Sequence, residues 1–163
     1  MSPQRAVTLA LLQAVARGRR LDVAWAEVAP DLNPRRRRWV QEAAFGTVRV
    51  KGRLDHLLER HVDRGLSSLP PPLVPILRLG AYELLYMDSV PDHAAVSQTV
   101  ESARQVVGEG LARLANGVLR SLLREGGGEE RFPSLHEEPV QHLATWGSHP
   151  EWLVRRWVER YGV

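Results

Sequence analysis

The chain has 163 residues, enough for one domain with an ordinary core. It has no cysteine, which excludes a disulfide framework, a thiolate zinc site and a cysteine nucleophile, and no run of 18 apolar residues that could cross a bilayer. The net charge of +3 is uneven: residues 1–64 hold 13 Lys+Arg against 7 Asp+Glu, residues 65–163 hold 9 against 12, so the N-terminal part suits phosphate. No secretory hydrophobic region follows Met1-Ser2-Pro3-Gln4-Arg5, and the cytoplasm is the expected compartment.

Apolar periodicity predicts an all-α chain, with no strand-like alternation to compete. Ser2 is placed to cap a first helix with Pro3 at its first position, running to about Arg17, where Gly18 ends it. A short second helix spans Leu21 to Val28. Asn33-Pro34 repeats the cap-and-proline start for a third helix, in which Trp39, Val40, Ala43, Ala44 and Val48 are apolar. Gly52 is expected to break it from a fourth helix, Leu54 to about Val62, which Gly65 stops. Pro70-Pro71-Pro72 opens a fifth, with Pro75 tolerated in the first turn. Asp92 is placed to cap a sixth, striped by Ala95, Val96, Thr99, Val100, Ala103 and Val107. After Gly108 a seventh carries Leu111, Leu114, Ala115, Val118, Leu119 and Leu122 at helical spacing.

Gly126-Gly127-Gly128-Glu129-Glu130 reads as a flexible, acidic break. The expected organisation is a domain over 1–125, a linker over 126–133 and a helical segment over 134–163. In that segment a helix is expected over Leu135 to Trp146, and Ser148-His149-Pro150-Glu151 reads as a capping box. The helix that follows puts Val154, Trp157, Val158 and Tyr161 on one face. Three of the five tryptophans lie in 146–157, and that apolar surface must pack against the body or a further domain.

The run Arg35, Arg36, Arg37, Arg38 occupies the first turn of the third helix, where cations oppose the helix dipole. A local rule broken this plainly suggests a phosphate partner, although a solvated charge run gives the same pattern. Arg49, Lys51 and Arg53 gather near the end of that helix, where they either bind an anion or simply favour the dipole. Asn116-Gly117 interrupts the seventh helix with two poor helix formers, read as a buried hydrogen bond and a close approach; Arg120 after them suits either role. His93 reads as a structural hydrogen-bonding residue. The six histidines show no metal spacing, and no phosphate-binding glycine loop or hydrolase triad pattern is present.

VPDHAAVSQTVE at 90–101, ANGVLR at 115–120, Phe45-Gly46-Thr47-Val48-Arg49 and Leu79-Gly80-Ala81-Tyr82-Glu83-Leu84 together resemble the NusB-like RNA-binding domain. They are most similar to its form at the N-terminus of the RsmB (Sun) family, which methylates cytosine in small-subunit ribosomal RNA. Glu83 stands where that family usually has an amide. Ser148-His149-Pro150-Glu151-Trp152 with Tyr161-Gly162 is similar to the stretch leading into the RsmB methyltransferase region. The resemblance implies a helical bundle of about seven helices in two packed subdomains, followed by a C-terminal helical linker. It implies RNA as partner, with Arg5, Arg35, Arg36, Arg37, Arg38, Arg49, Lys51, Arg53 and Arg120 as candidate contacts.

It also implies a fused methyltransferase domain that uses a cysteine and S-adenosylmethionine. Neither feature belongs to these residues, so the chain alone is expected to be catalytically inert; with no metal spacing among its histidines it is also expected to hold no metal. Two alternatives stay open. One is a stand-alone NusB-like antitermination factor that binds RNA with a ribosomal protein; the other is a protein-docking module that uses the acidic C-terminal part and its tryptophans.

Overall fold

The computed structural model describes residues 1–162, and among them every regular element is helical. Helices α1 (Pro3–Ala16), α2 (Leu21–Val28), α3 (Pro34–Arg49), α4 (Lys51–Glu59), α5 (Leu73–Tyr86), α6 (Asp92–Val107) and α7 (Glu109–Glu125) form the body. Two more, α8 (Pro139–Thr145) and α9 (Glu151–Tyr161), follow it. The all-α reading holds, with seven helices up to residue 125.

Two apolar cores lie side by side. The smaller joins Leu11 of α1, Ala24 of α2, and Val40 and Ala44 of α3. The larger gathers Leu54, Leu57 and Leu58 of α4, Ile76 and Leu77 of α5, and Val118, Leu119 and Leu122 of α7, and takes Leu9, Leu12 and Ala43 from the N-terminal helices. α1 and α3 therefore serve both. Nine of the fourteen residues of α5 are buried, which makes it the central helix and explains why it is apolar nearly all round.

One polar cluster crosses this interior. Arg5 of α1 is 0% exposed, and its Nη1 donates to both carboxylate oxygens of Glu83 at 2.6 and 2.5 Å. Its Nη2 donates to Thr99 Oγ1 at 2.6 Å and its Nε to Ser102 Oγ at 3.1 Å. Both hydroxyls pass their own protons back along α6, to the carbonyls of Ala95 and Gln98. Gly80 makes the approach possible, since a Cβ there would lie 2.4 Å from Thr99 Oγ1. Burial pushes the Glu83 carboxyl above its ordinary pKa, and the Arg5 guanidinium pulls it back.

Several local expectations need correction. Asp92 is the first residue of α6, not its cap; Pro91 holds the cap position. Ser2 caps α1 by backbone alone, whereas Asn33 does accept from the Arg36 N–H at 2.9 Å. Gly52 does not break a helix. The chain turns at Val50, α4 begins at Lys51 and ends at Glu59, and Gly52 instead lets the C-terminal segment in: a Cβ there would meet Ser148 Cα at 2.8 Å and the Ala144 carbonyl at 2.9 Å.

Within the run 126–133, expected to be a loose spacer, Glu129 and Glu130 are exposed but two residues are packed. Gly127 lies against Leu57 and Leu85, and Phe132 is buried between His56 and Trp146. Small side chains here serve close approach rather than freedom. Ser148 accepts from the Arg53 N–H at 3.0 Å, so it is committed to α4 and not to capping α9. The helix expected over Leu135 to Trp146 is confined to α8, and the expected segment's last residue, Val163, lies outside the described residues.

Replacing Arg5 by methionine strands a buried carboxylate and should lower unfolding stability by about 3–5 kcal/mol in a urea titration. A loss under about 1 kcal/mol contradicts the closed network. Gly52→Ala should cost about 1–3 kcal/mol by lifting Ser148 and Ala144 from α4. It should also red-shift Trp146 emission and open 126–150 to protease while residues 1–125 resist. Unchanged proteolysis would contradict that role.

Candidate nucleic-acid interface

The basic start of α3 is built from its cap. Asn33 and Pro34 set the first turn, and Trp39 and Val40 anchor the next to the cores, which leaves Arg35 to Arg38 exposed. No acidic residue sits in that turn, so four cations face the positive end of the helix dipole without local compensation. Such repulsion favours an anion arriving from outside.

Two hollows open along α3. One, of about 740 Å³, is lined by Gln4, Asn33, Arg35, Arg36, Arg38, Trp39, Glu42 and Ser89. The other, of about 360 Å³, is lined by Arg38, Gln41, Glu42, Phe45, Gly46, Arg49 and Tyr82. They share Arg38 and Glu42 and so form one trough; from Arg35 to Arg49 it runs about 21 Å at the helical rise. Among the described residues, Arg35, Arg36, Arg38 and Arg49 have no carboxylate within ion-pair distance. Arg19, Arg20, Arg78, Arg104 and Arg155, by contrast, are all paired. Four unpaired guanidinium groups face one carboxylate, beside amides, a hydroxyl and the edge of an indole. Such a surface can hold successive phosphates and present hydrogen bonds and a ring to whatever joins them.

Tyr82 forms the back of the trough. Its hydroxyl fits where Gly46 has no side chain: a Cβ there would lie 2.0 Å from it. Burial holds the phenol above its ordinary pKa, against the pull of Arg49. Tyr86 stacks on the same ring at 5.3 Å between centroids. Gln4, Gln41, Trp39, Ser89 and Tyr82 were not among the sequence candidates. A helical wheel of α3 would have found Gln41, since Arg38, Gln41, Glu42, Phe45 and Arg49 fall on one side of it.

The remaining candidates lie elsewhere. Arg5 is enclosed by Glu83, Thr99 and Ser102 and cannot reach a phosphate, which corrects its expected role. Arg53 is also reassigned: its guanidinium lies 3.9 Å over the Trp146 ring and its Nε donates to the Trp146 carbonyl, so it fastens the C-terminal segment. Arg37 is exposed but lines neither hollow. Lys51 lies in a different groove, 3.8 Å from Asp55. Arg120 donates to Asn116 Oδ1 at 3.1 Å in a hollow between α6 and α7 that His93 also lines. Gly117 faces open space and His93 is exposed, so neither plays the packing or bonding part expected of it.

The NusB family profile matches residues 2–124. The chain belongs to the NusB family. It is 38% identical over 134 residues to a protein of Bacillus subtilis named probable ribosomal RNA small subunit methyltransferase B, a match that covers 81% of this chain and 29% of that one. It is 33% identical over 155 residues to ribosomal RNA small subunit methyltransferase B of Vibrio vulnificus, covering 95% and 35%. The protein of the same name from Pasteurella multocida is 36% identical over 122 residues, covering 75% and 25%. The chain thus spans about three-tenths of the length of these curated relatives. In this NusB domain α1–α7 fill the matched region, and the trough lies wholly inside it.

Gly46→Ala should push Tyr82 out of its seat and cost about 1–3 kcal/mol of stability. Tyr82→Phe, which removes only the hydroxyl, should cost less. If the alanine variant unfolds like the parent, the close contact is not as described.

Proposed function

We propose that this NusB domain binds RNA through the α3 trough, as the RNA-holding part of a small-subunit ribosomal RNA cytosine methyltransferase. The trough carries the first half of that reading. Its four unpaired arginines, set on one helix with no carboxylate but Glu42 lining the same hollows, leave that surface positively charged. The match to the Vibrio vulnificus protein supports the second half. At 155 residues it has to run past residue 124 and through α8, beyond the region that the NusB family profile covers. An antitermination factor would need the domain but not that further likeness.

The mechanism is positional. Arginines in the trough neutralise phosphates and release condensed counterions, while the amides and Trp39 accept unpaired bases. Holding ribosomal RNA this way raises the concentration of its target base at a catalytic domain joined to the same chain. In such a protein the methyl donor S-adenosylmethionine and the cysteine that attacks the base belong to the remainder of the chain; this segment contains no cysteine. Ribosomal RNA as partner makes the cytoplasm the place of action.

Four phosphate contacts should give about a 50–150-fold fall in RNA affinity between about 50 and 200 mM salt. The double variant Arg38→Ala, Arg49→Ala should lower the slope of log affinity on log salt by about 1.4–1.8, while Arg120→Ala leaves it unchanged. Fluorescence anisotropy with a labelled RNA loop reads both. A flat salt dependence, or equal loss from Arg120→Ala, would sink the trough as the RNA site.

A further inference from the structure

Thr47 stands apart from the other three threonines of the chain. Thr8, Thr99 and Thr145 each donate to the carbonyl four residues earlier, at 2.9, 2.7 and 2.7 Å, the usual way a helix absorbs a buried hydroxyl. Thr47 is 1% exposed, yet its Oγ1 has no hydrogen-bond partner. Buried polar atoms are nearly always paired, so an exception calls for a missing partner. Thr47 lines a groove of about 330 Å³ between α1, α3 and α5. Leu12, Val15, Val48 and Pro75 give this groove apolar walls, and Lys51 and Arg78 stand at its rim.

The rim has charge to spare. Asp55 holds Arg78 in a two-pronged pair at 2.6 and 3.0 Å and also lies 3.8 Å from Lys51, which is 55% exposed, so one carboxylate serves two cations and the rim keeps a net positive charge. The groove also backs onto the trough: Thr47 and Arg49 are two residues apart, about 200° around the helix. An RNA strand seated on Arg49 would have to pass around a helix buried on both flanks to reach Thr47.

We propose that this groove receives an acidic, apolar segment of a partner protein. One apolar side chain fills the space between Leu12, Val48 and Pro75, a polar group of the segment pairs with Thr47 Oγ1, and a carboxylate meets Lys51. The volume fits one or two side chains, and the unbalanced positive charge selects an acidic segment over a basic one. This goes beyond the RNA reading and does not depend on it.

Isotope-labelled full chain, titrated with the blocked peptide acetyl-Glu-Leu-Leu-Glu-amide and followed by amide shifts, tests the proposal. Saturable shifts are expected at Val15, Thr47 and Lys51, and should persist in the Arg38→Ala, Arg49→Ala variant. The glutamine counterpart of the peptide and the Lys51→Ala protein should each bind about two- to fivefold more weakly. Thr47→Val should raise the melting temperature, because it removes an unpaired hydroxyl, and weaken the peptide by about two- to tenfold. A fall in melting temperature would show the hydroxyl already satisfied and would overturn the site. So would equal binding of the two peptides, shifts centred on the trough, or no saturable shift at millimolar peptide. Groove shifts produced by a short oligouridine instead would reassign the site to nucleotide.

Discussion

The arginine trough depends on a salt bridge buried away from it. Arg5 enters the body from α1, and its partners come from α5 and α6, so three helices must hold one mutual register for its hydrogen bonds to close. A buried ion pair is weak evidence for stability, since desolvation consumes most of its attraction. Its effect is on specificity: any slip of α1 along α5 would strand a charge, and an apolar contact tolerates slips that this one does not. α3 packs against α1 and α5, and Tyr82 on α5 is neighbour in sequence to Glu83. The residue that fixes α1 therefore adjoins the residue that shapes the trough.

That rigidity suits electrostatic recognition. Arg35, Arg38 and Arg49 fall within about 60° of one another around α3 and repel, and a mobile helix would let them spread or turn toward solvent. Here Gly46 seats Tyr82 against α3 while Trp39 and Val40 hold its first turns, so the helix cannot relax the repulsion by moving. The field of exposed charges reaches only about a Debye length, roughly 8–10 Å in physiological salt. Close spacing along one helix is thus what makes the charges act together. The N-terminal dipole adds to the same field.

The helical plan was legible because it rests on periodicity and on punctuation by proline and glycine. α2 matches its expected span, and α3, α6 and α7 begin within a residue of their expected starts. What the sequence concealed was partnership across distance. Arg5 looked like any basic residue near a terminus, and Glu83 like a departure inside a core helix; nothing local says that they are 78 positions apart and in contact. Gly52 and Gly127 carried the opposite ambiguity. A glycine marks either a break or a close approach, and only the neighbours tell which. Gly52 lies under Ala144 and Ser148, and Gly127 on Leu57 and Leu85, so both record close packing. The attachment of Arg53 stayed hidden for the same reason, because its partner Trp146 comes 93 residues later. The arginine run stayed readable because its signal, a conflict with the helix dipole, is local.

α3 presents Arg38 and Arg49 on one side and the Thr47 groove on the other, with both flanks packed. A helix so held offers no second arrangement for a ligand to select, and two sites couple only through an element that has two states. RNA in the trough and a peptide in the groove should therefore bind independently in free energy. They would still promote each other's residence if the partner also contacts the RNA, because each tether raises the local concentration of the other. The same logic applies to the C-terminal segment. Arg53, Gly52 and Phe132 fasten it to α4, while Trp152 and Tyr161 of α9 remain 66% and 74% exposed. Its root is fixed where its outer face is not covered. Anything joined through α9 therefore starts from a defined position relative to the trough, and positional catalysis requires that geometry.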